Sequence, residues 1–375
     1  MINLFKLREK FLIFNVEPEG ARSVLVGVDA DKKLHFDEAQ DRFKLPKFFK
    51  NLGKHKTVSV VSLHPSLGAV RIVPFRFVRQ LQSVPLELTE LENFLAQLSQ
   101  KIFLELRAEV AKELGSEELD SILIEVRPFA YRSDGSSVTS PLGHRSKEIY
   151  GFLELLFTTR GAFDLMQPVL YSGTPVFMTM HDKSELMSLK KLGHAKIAFL
   201  EFGRDGGARL LKYDLDKNKK ELLSRKPIGW SPERFFARIE EIWNVDRAVA
   251  EIIYGEYLQN RLSPKLKIHL EKLWKREMAE LFSRLKKAGA KGDVYIKTPL
   301  ALPASFPAKQ KGITLKAFPF ADLFSRLGFE FDENLSGFPL ADAFAHLAPF
   351  LECYYDSSDR QVNHSLRRRI HWLIS

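Results

Sequence analysis

Cysteine is almost absent from this sequence of 375 residues, because Cys353 is its only thiol. A single cysteine excludes an intramolecular disulfide framework and a cysteine-ligated zinc or iron–sulfur site. Long apolar runs are missing too: no uninterrupted stretch approaches the ~18 residues that a membrane-spanning helix requires, and no signal-peptide pattern begins the chain. We therefore expect a protein of the reducing cytoplasm.

The sequence also lacks the motifs of common enzyme classes. It contains no G-x-x-x-x-G-K-[ST] phosphate loop, no G-x-S-x-G elbow, no H-E-x-x-H motif and no G-x-G-x-x-G after a predicted strand. The ten histidines are scattered, and His364 and His371 stand seven residues apart. A two-histidine metal clamp on a helix needs i, i+4 spacing. We therefore expect no catalytic residue and no metal site.

The composition is that of an ordinary globular protein. Hydrophobic residues make up 45% and charged residues 28% of the chain, enough for two or three domains with their own cores. Lysine and arginine outnumber aspartate and glutamate by 57 to 47, which gives a net charge of +10. This balance suits anionic membrane surfaces, nucleic acid or acidic peptides and does not choose among them.

The first half of the chain opens on a predicted β-hairpin. Residues 11–16 and 23–28 are β-like apolar runs joined by turn residues. Further strand patterns follow at 57–63 and 69–77, and then a long amphipathic helix, which Gly115 ends. Its apolar positions recur every four residues: Phe94, Leu98, Ile102, Leu106, Val110 and Leu114. Strands at 122–126 and 151–158 complete a β-α-β-loop-β unit.

The second half repeats this opening. Strand patterns at 195–202 and 209–213 flank a glycine-containing turn and predict a second hairpin. Helical patterns cover 232–258 and 264–287, a late strand is predicted at 293–296, and the last helix covers 363–375. Two halves that each begin with a hairpin indicate a duplicated architecture.

This layout, with a small unit inserted in the first half, resembles that of actin-like proteins, specifically the bacterial cell-division protein FtsA and the pilus-assembly protein PilM. Asp134-Gly135 followed by Pro141-Leu142-Gly143 is similar to the D-G … N-P-x-G-x-x-G loop of the FtsA insert. Lys226-Pro227-Ile228-Gly229 and the later Ala250-Glu251 are similar to the I-P-x-G-G … A-E succession of FtsA. The motifs follow the order of the family along nearly the whole chain.

The resemblance implies a two-lobed, actin-like (ribonuclease-H-like) α/β fold with a small β-α-β subdomain inserted in the first lobe. The implied boundaries are 1–83 for the N-terminal part of the first lobe, 84–159 for the insert, 160–192 for the return to the first lobe, and 193–375 for the second lobe with a C-terminal basic amphipathic helix.

The resemblance also implies ATP with Mg²⁺ as the cofactor, held between two hairpin tips whose backbone N–H groups and acidic side chains contact phosphate and metal. The positions that match the family's nucleotide site are Asn15, Glu201, Gly203, Asp205, Gly206, Gly207, Gly229 and Glu251. In an alternative interpretation the three glycines after Phe202 only form a tight turn, and Glu251 lies on a helix surface.

The sequence departs from the family at the loops that carry this chemistry. The first tip reads Asn15-Val16-Glu17-Pro18 where the family has Asp-x-Gly-Ser/Thr, so a carboxylate replaces a glycine and Pro18 offers no N–H. The adenine loop, Thr298-Pro299-Leu300-Ala301, has no Gly-Gly. We therefore expect weak or lost nucleotide binding, and at most a weak ATPase.

The end of the chain predicts a membrane contact. Apolar residues recur on one face of the terminal helix, arginines flank them, and a tryptophan stands where an interfacial ring would help. The predicted foot, which resembles the C-terminal foot of FtsA, comprises Leu366, Arg367, Arg368, Ile370, Trp372, Leu373 and Ile374. The alternative is a terminal helix that docks on the second lobe with its arginines in solvent.

Residues 264–291 form a basic helical pattern. The resemblance to FtsA, whose second lobe receives the acidic tail of a tubulin-like ring protein, implies an acidic-peptide dock at Lys267, Lys272, Lys275, Arg276 and Arg284. The alternative is a helix whose charged side is simply solvated. Nucleic acid is disfavoured because no nucleic-acid motif is present.

Together these features predict a cytoplasmic scaffold on the inner face of the cell membrane, an adaptor for cell division of the FtsA kind. Its partners would be division-ring proteins, further copies of itself and the anionic membrane surface. One alternative is a PilM-like protein that binds pilus-assembly partners. Others are an active ATPase or kinase of the same fold and a nucleic-acid-binding protein, whose affinity for any duplex would depend steeply on salt.

Overall fold

The computed structural model describes residues 9–40, 57–80, 83–191, 193, 196–202, 207–214, 223–231, 233–297, 309–318, 320–331, 340–356 and 358–370. The chain divides into two compact units. Unit 1 contains Met1–Leu192, Asp216–Leu222 and Phe320–Ser375, and unit 2 contains Gly193–Leu215 and Leu223–Pro319.

Strands and helices alternate along both units. The strands are β1 Glu9–Glu17, β2 Gly20–Val28, β3 Lys33–Gln40, β4 Thr57–Leu63, β5 Gly68–Val78, β6 Ser121–Ser133, β7 Ser136–Ser137, β8 Glu148–Thr159, β9 Val176–Met180, β10 Lys196–Phe202, β11 Ala208–Asp214, β12 Leu223–Pro227, β13 Gly292–Lys297, β14 Lys309–Gln310, β15 Ile313–Ala317 and β16 Glu330–Phe331. The helices are α1 Leu88–Leu114, α2 Arg160–Leu170, α3 His181–Lys190, α4 Glu233–Trp243, α5 Arg247–Leu258, α6 Pro264–Lys287, α7 Phe320–Arg326, α8 Leu340–Tyr354 and α9 Arg360–Ile370.

Unit 1 is built on a mixed sheet of order β16-β3-β2-β1-β4-β9. β2 runs antiparallel to both β1 and β3, while β4 pairs parallel with β1 and β9 pairs parallel with β4. The central strands are nearly continuous apolar runs, as expected of strands that are covered on both faces. Ile13, Val26 and Val60 are fully buried. The first predicted hairpin is confirmed as β1–β2.

The inserted subdomain is an antiparallel sheet of order β5-β8-β6-β7. β5 pairs with β8 along its full length, from Gly68 opposite Thr158 to Val78 opposite Glu148. The insert therefore begins at Gly68 and not at residue 84, because β5 takes its only long partner from this sheet. Helix α1, predicted from its four-residue repeat, packs on the sheet through Leu95 and Ile102.

Unit 2 repeats the topology of the first sheet. Its strand order is β12-β11-β10-β13-β15-β14, with β11 antiparallel to β10 and β12, and with β13 and β15 added in parallel. Helices α4, α5 and α6 contribute to its core, where the rings of Phe235 and Trp274 meet edge to face at 4.7 Å. The predicted second hairpin is confirmed as β10–β11, and the duplicated architecture is confirmed with it.

The C-terminal segment corrects the predicted domain boundaries. Residues 320–375 belong to unit 1 and not to the second lobe, which was predicted to include 193–375. The physical reason is apolar packing: Phe324 and Phe350, on α7 and α8, are buried in one core with Phe11 and Ile13 of β1. Within the described ranges, no helix is long and apolar enough to cross a membrane.

Candidate functional site

The first hairpin ends in a tight turn that offers few backbone N–H groups to a phosphate. β1 and β2 remain paired as far as Glu17 opposite Gly20, so that only Pro18 and Glu19 form the turn. Proline has no N–H, and the other central residue places a carboxylate at the tip. Asn15 is buried inside the strand, opposite Arg22 and Ser62, and not at the tip. A cradle of successive backbone amides, which phosphate binding needs, is not formed by these residues.

The second hairpin is described only in part. Gly203, Asp205 and Gly206 lie outside the described residues, so their predicted role stays a prediction. Gly207 comes directly before β11, and Glu201 is a buried residue of β10. The strand register places Glu201 between Arg209 of β11 and Lys297 of β13. Opposite charges on neighbouring strands stabilise a sheet, which is a sufficient structural role for this carboxylate.

Gly229 and Glu251 have well-defined surroundings. Gly229 has a left-handed backbone, φ +63°, and a Cβ at this position would lie 2.8 Å from Nη1 of Arg284. Nη1 of Arg284 donates a hydrogen bond of 2.6 Å to the carbonyl oxygen of Gly229. Glu251 is exposed on α5 and accepts a 2.7 Å hydrogen bond from Nε of Arg247, one turn earlier. The geometry of Glu251 is that of a helix-surface ion pair.

Gly229 lies beside a cleft of about 620 Å³ in unit 2. The end of β12 and the last turns of α6 line it: Lys226, Pro227, Ile228, Glu280, Ser283, Arg284, Lys287 and Ala288. The guanidinium of Arg284 already binds protein groups, because it donates to the carbonyl oxygen of Gly229 and, at 2.6 Å, to Glu280. Hydrogen bonds from Arg284 and Arg234 keep the pKa of the Glu280 carboxyl below its ordinary value. In the described part of the cleft, Lys226 and Lys287 have no carboxylate partner.

The residues predicted to dock an acidic peptide do not form one set. Lys272, Lys275 and Arg276 are exposed on α6. Lys267 instead donates a 2.7 Å hydrogen bond to the side chain of Asn260, and Arg284 faces the cleft. The buried side of α6 carries Leu270, Trp274, Met278, Leu281 and Leu285. The structure thus separates three exposed cations from the other two.

The terminal helix α9 packs on the inserted sheet. Leu366 is fully buried in the core of the insert, and Arg367 donates two hydrogen bonds, of 2.7 and 3.0 Å, to Oε2 of the buried Glu125. Arg369 contacts Glu92 and Asn93 of α1. Docking was the alternative to a membrane foot, but the helix docks in unit 1 and not on the second lobe.

This packing removes Leu366 and Arg367 from the membrane foot, because both side chains are used inside the protein. The other predicted foot residues are not tested. The side chains of Arg368 and Ile370, and all of Trp372, Leu373 and Ile374, lie outside the described residues.

A buried charge cluster was not predicted. Nζ of Lys183, at the start of α3, lies 2.6 Å from Oε1 of Glu154 on β8 and 2.5 Å from Oε1 of Glu352 on α8. Arg127 of β6 stacks on the ring of Phe177 at 4.0 Å and donates to the carbonyl oxygen of Met178. No sequence spacing could reveal the cluster, since its members come from four distant elements.

The cluster is neutral overall and its charges are matched. Burial alone would raise the pKa of the Glu352 carboxyl, but the Lys183 ammonium and the Arg127 guanidinium outweigh burial and lower it. Burial opposes the charge of Arg127, yet Glu154 and its acidic neighbours raise the pKa of that guanidinium. The cluster joins the insert, the first sheet and α8. No group of three metal-ligating side chains occurs among the described residues.

Five strands have the same order and the same directions in both large sheets, β3-β2-β1-β4-β9 in the first and β12-β11-β10-β13-β15 in the second. This repeated arrangement is the two-lobed, actin-like α/β fold that the sequence resembles. The inserted antiparallel subdomain between β4 and β9 completes that architecture. The sequence matches no protein-family model and no curated protein.

Several solved structures are similar to this chain at low sequence identity. A chain of the PilM–PilN type IV pilus biogenesis complex is 13% identical, with 97% of this chain and 98% of that chain covered and a TM-score of 0.46. A protein of unknown function with an actin-like ATPase fold from Bacteroides thetaiotaomicron is 10% identical, with 92% and 98% covered and a TM-score of 0.33. The cytoplasmic domain of EpsL, an inner-membrane component of the type II secretion system of Vibrio cholerae, is 11% identical, with 86% and 97% covered and a TM-score of 0.32.

Proposed function

We propose that this protein is an actin-fold scaffold with weak or lost nucleotide binding, which acts as a cytoplasmic adaptor in the assembly of a pilus or secretion machine. The observation that carries the proposal is the two-residue turn between β1 and β2. In an active site of this fold the corresponding tip would supply backbone amides to the phosphates. Here Pro18 supplies none, and Glu17 and Glu19 bring negative charge to the same place.

The changes at this tip lower the affinity for nucleotide by a large factor. Each hydrogen bond from an amide to a charged phosphate contributes about 1.5–3 kcal/mol. A carboxylate near ~4 Å from a phosphate adds a repulsion of about 1 kcal/mol or more, depending on the local dielectric. Removal of one donor and addition of a like charge therefore lower the affinity by about two orders of magnitude or more.

The position of α9 favours one of two roles: assembly of a pilus or secretion machine over cell division. The division role implied by the resemblance to FtsA includes a C-terminal membrane foot, and Leu366 and Arg367 are engaged in the insert instead. This supports the PilM-like alternative over the FtsA-like one. It also favours partner contacts through the inserted subdomain, which α9 stiffens from one side.

Calorimetric titration of the protein with MgATP and MgADP tests the loss of nucleotide binding. We expect no saturable heat at millimolar nucleotide. A low-micromolar dissociation constant, or turnover of ATP, would overturn the proposal in favour of an active ATPase. The Glu17→Gly, Pro18→Ser double variant restores the small residues of an intact tip, and a gain of binding in this variant alone would identify the turn as the cause.

The adaptor role is tested by co-purification of the full chain with the products of neighbouring genes. We expect recovery of pilus or secretion assembly proteins. Recovery of a tubulin-like ring protein instead would assign the chain to cell division.

A further inference from the structure

The net positive charge of the chain comes from one of its two units. Unit 2, residues 193–215 and 223–319, contains 23 lysines and arginines against 13 acidic residues. This excess of ten equals the net charge of the whole chain, because unit 1 contains 34 residues of each sign. Such an asymmetry between two parts of one chain indicates an anionic partner for the charged part.

Most of the described arginines of unit 2 form ion pairs with carboxylates. Arg234 and Arg284 pair with Glu280, Arg238 pairs with Glu241, and Arg247 pairs with Glu251. The excess therefore lies elsewhere in the unit, and the outer side of α6 holds much of it.

The outer side of α6 carries five cations and one isoleucine, here called the basic stripe: Lys265, Ile268, Lys272, Lys275, Arg276 and Lys286. The spacing of these residues places them opposite the buried Leu270, Trp274 and Leu281. All six are exposed, and none of the five cations has an ion pair with a residue that the structure describes. With a rise of 1.5 Å per residue, the stripe is about 30 Å long.

No carboxylate interrupts the basic stripe. Glu277 of α6 is buried, where its Oε2 accepts a hydrogen bond from the indole of Trp230, and Glu280 is held by Arg234 and Arg284. The third acid of the helix, Glu271, follows directly after Leu270 and is half-buried. The outer side of α6 therefore carries cations near both ends of the helix, and Ala279 and Ser283 separate Arg276 from Lys286.

Aliphatic side chains accompany these cations. Ile268 is 53% exposed between Lys265 and Lys272, and Leu266 is 38% exposed on another side of the same turn. All the large hydrophobic side chains that the described part of unit 2 exposes lie on α4, α5 or the first turns of α6: Ile242, Val249, Ile252, Leu266 and Ile268. None of them is aromatic, and aromatic rings are what single-stranded nucleic acid stacks on.

We infer that the basic stripe is a peripheral docking surface for a bilayer of anionic phospholipids. Four to eight lysines and arginines on one side of a helix match the negative headgroup layer, and an exposed isoleucine among them can enter the boundary between headgroups and acyl chains. The stripe extends about 30 Å along one helix, and none of its residues lines the cleft of unit 2, so its dimensions suit an extended anionic surface. This contact is separate from the predicted C-terminal foot.

The test is co-sedimentation of the full chain with vesicles of phosphatidylglycerol and phosphatidylcholine in equal parts. We expect binding that weakens as salt is raised and that is absent with pure phosphatidylcholine. The variant Lys272→Glu, Lys275→Glu, Arg276→Glu should bind at least tenfold more weakly. Ile268→Ser should weaken binding severalfold, whereas Leu104→Ser, an exposed residue of α1, should not.

A matched control separates position from total charge. Lys112, Arg145 and Lys147 are exposed cations of unit 1, and their exchange to glutamate changes the net charge by the same amount. We expect this variant to bind within about twofold of the parent. Circular dichroism of each variant verifies that it is folded, and a variant that has lost its helical signal is replaced by the corresponding glutamine variant.

Three results would overturn the inference: no binding of the parent to anionic vesicles, equal losses in the two triple variants, or tighter binding to duplex DNA or polyglutamate than to vesicles at the same salt. Removal of residues 371–375 should leave vesicle binding intact. If this truncation abolished vesicle binding and the glutamate variant of the stripe did not weaken it, the inference would also be overturned. The inference does not depend on the proposed function, because nucleotide titration and vesicle binding can each fail without the other.

Discussion

Lys183 contributes more to the fold than any exposed lysine can. Its ammonium neutralises Glu154 and Glu352, both of which are almost inaccessible to water. Removal of one partner of a buried ion pair leaves an uncompensated charge, which destabilises by about 3–5 kcal/mol. We expect Lys183→Met to lower the free energy of unfolding by that amount in urea denaturation. Lys101→Met, on an exposed pair of α1, should change it by less than about 0.5 kcal/mol.

The same cluster predicts a dependence of stability on pH. Because the pKa of Glu352 is lower in the folded protein than in the unfolded chain, the unfolded chain takes up a proton first as the pH falls. The stability that Glu352 contributes is therefore complete above about pH 4.3, the ordinary value for glutamate, and is lost below it. The difference in unfolding free energy between the parent and Glu352→Gln should shrink as the pH is lowered from 7 to 3. A constant difference would contradict this.

Gly151 illustrates a contact that a strand pattern cannot reveal. A Cβ on Gly151 would lie 2.7 Å from the ring of Phe75 on the neighbouring strand. We expect Gly151→Ala to destabilise the protein by about 1–3 kcal/mol in thermal denaturation. Gly161 in α2 has open space around it and is the matched control. Gly161→Ala should be neutral or stabilising by about 0.4–1 kcal/mol.

Among the secondary-structure elements, α9 is the one whose position distinguishes the competing interpretations. Docked, its Leu366 is a core residue, and Leu366→Ala should cost about 2–5 kcal/mol of unfolding free energy. If Leu366 instead belonged to a free membrane foot, the same substitution would leave the free energy of unfolding almost unchanged in the absence of lipid. Urea denaturation without vesicles separates the two, with the exposed Leu104→Ala as the reference.

Local patterns predicted many elements, and choices of distant partner account for the failures. Both hairpins and α1 were predicted because each follows from turn residues or from an uninterrupted period. The predicted helix 232–258 is two helices, because Asn244 has a left-handed backbone and the Asp246 side chain caps α5 at the amide of Val249. The assignment of β5 to the first lobe and of 320–375 to the second failed for another reason. Nothing in these segments shows which sheet they join.

The candidate site shows the same contrast between local chemistry, which the sequence predicts, and contacts between distant elements, which it does not. The poor supply of backbone N–H groups in the turn after Glu17 could be predicted, because the chemistry of a charge and of a missing N–H is local. The cleft beside Gly229 could not, since it depends on the approach of Arg284 from another element. The sequence also could not distinguish the cations of the basic stripe from Lys267 and Arg284, because it does not show which cations of a helix are already hydrogen-bonded within the protein.

The uneven charge of the two units predicts that salt stabilises them unequally. The surplus of positive charge in unit 2 repels itself, and this repulsion is screened as the Debye length falls from about 30 Å at 0.01 M to about 10 Å at 0.1 M salt. Trp230, Trp243 and Trp274, three of the four tryptophans, belong to unit 2, so tryptophan fluorescence reports mainly on it. We expect its thermal midpoint to rise by about 3 °C or more between 0.01 and 0.2 M sodium chloride, since about 1 kcal/mol moves a midpoint by several degrees in a unit of this size.

The glutamate variant of Lys272, Lys275 and Arg276 provides the control for this salt effect. It removes six of the ten surplus charges of unit 2, so its midpoint should rise by less than half as much over the same range of salt. The variant with glutamate at Lys112, Arg145 and Lys147 leaves unit 2 unchanged and should behave as the parent does. An equal rise in all three proteins would mean that salt acts on apolar burial, and that the repulsion within unit 2 is already offset by its ion pairs.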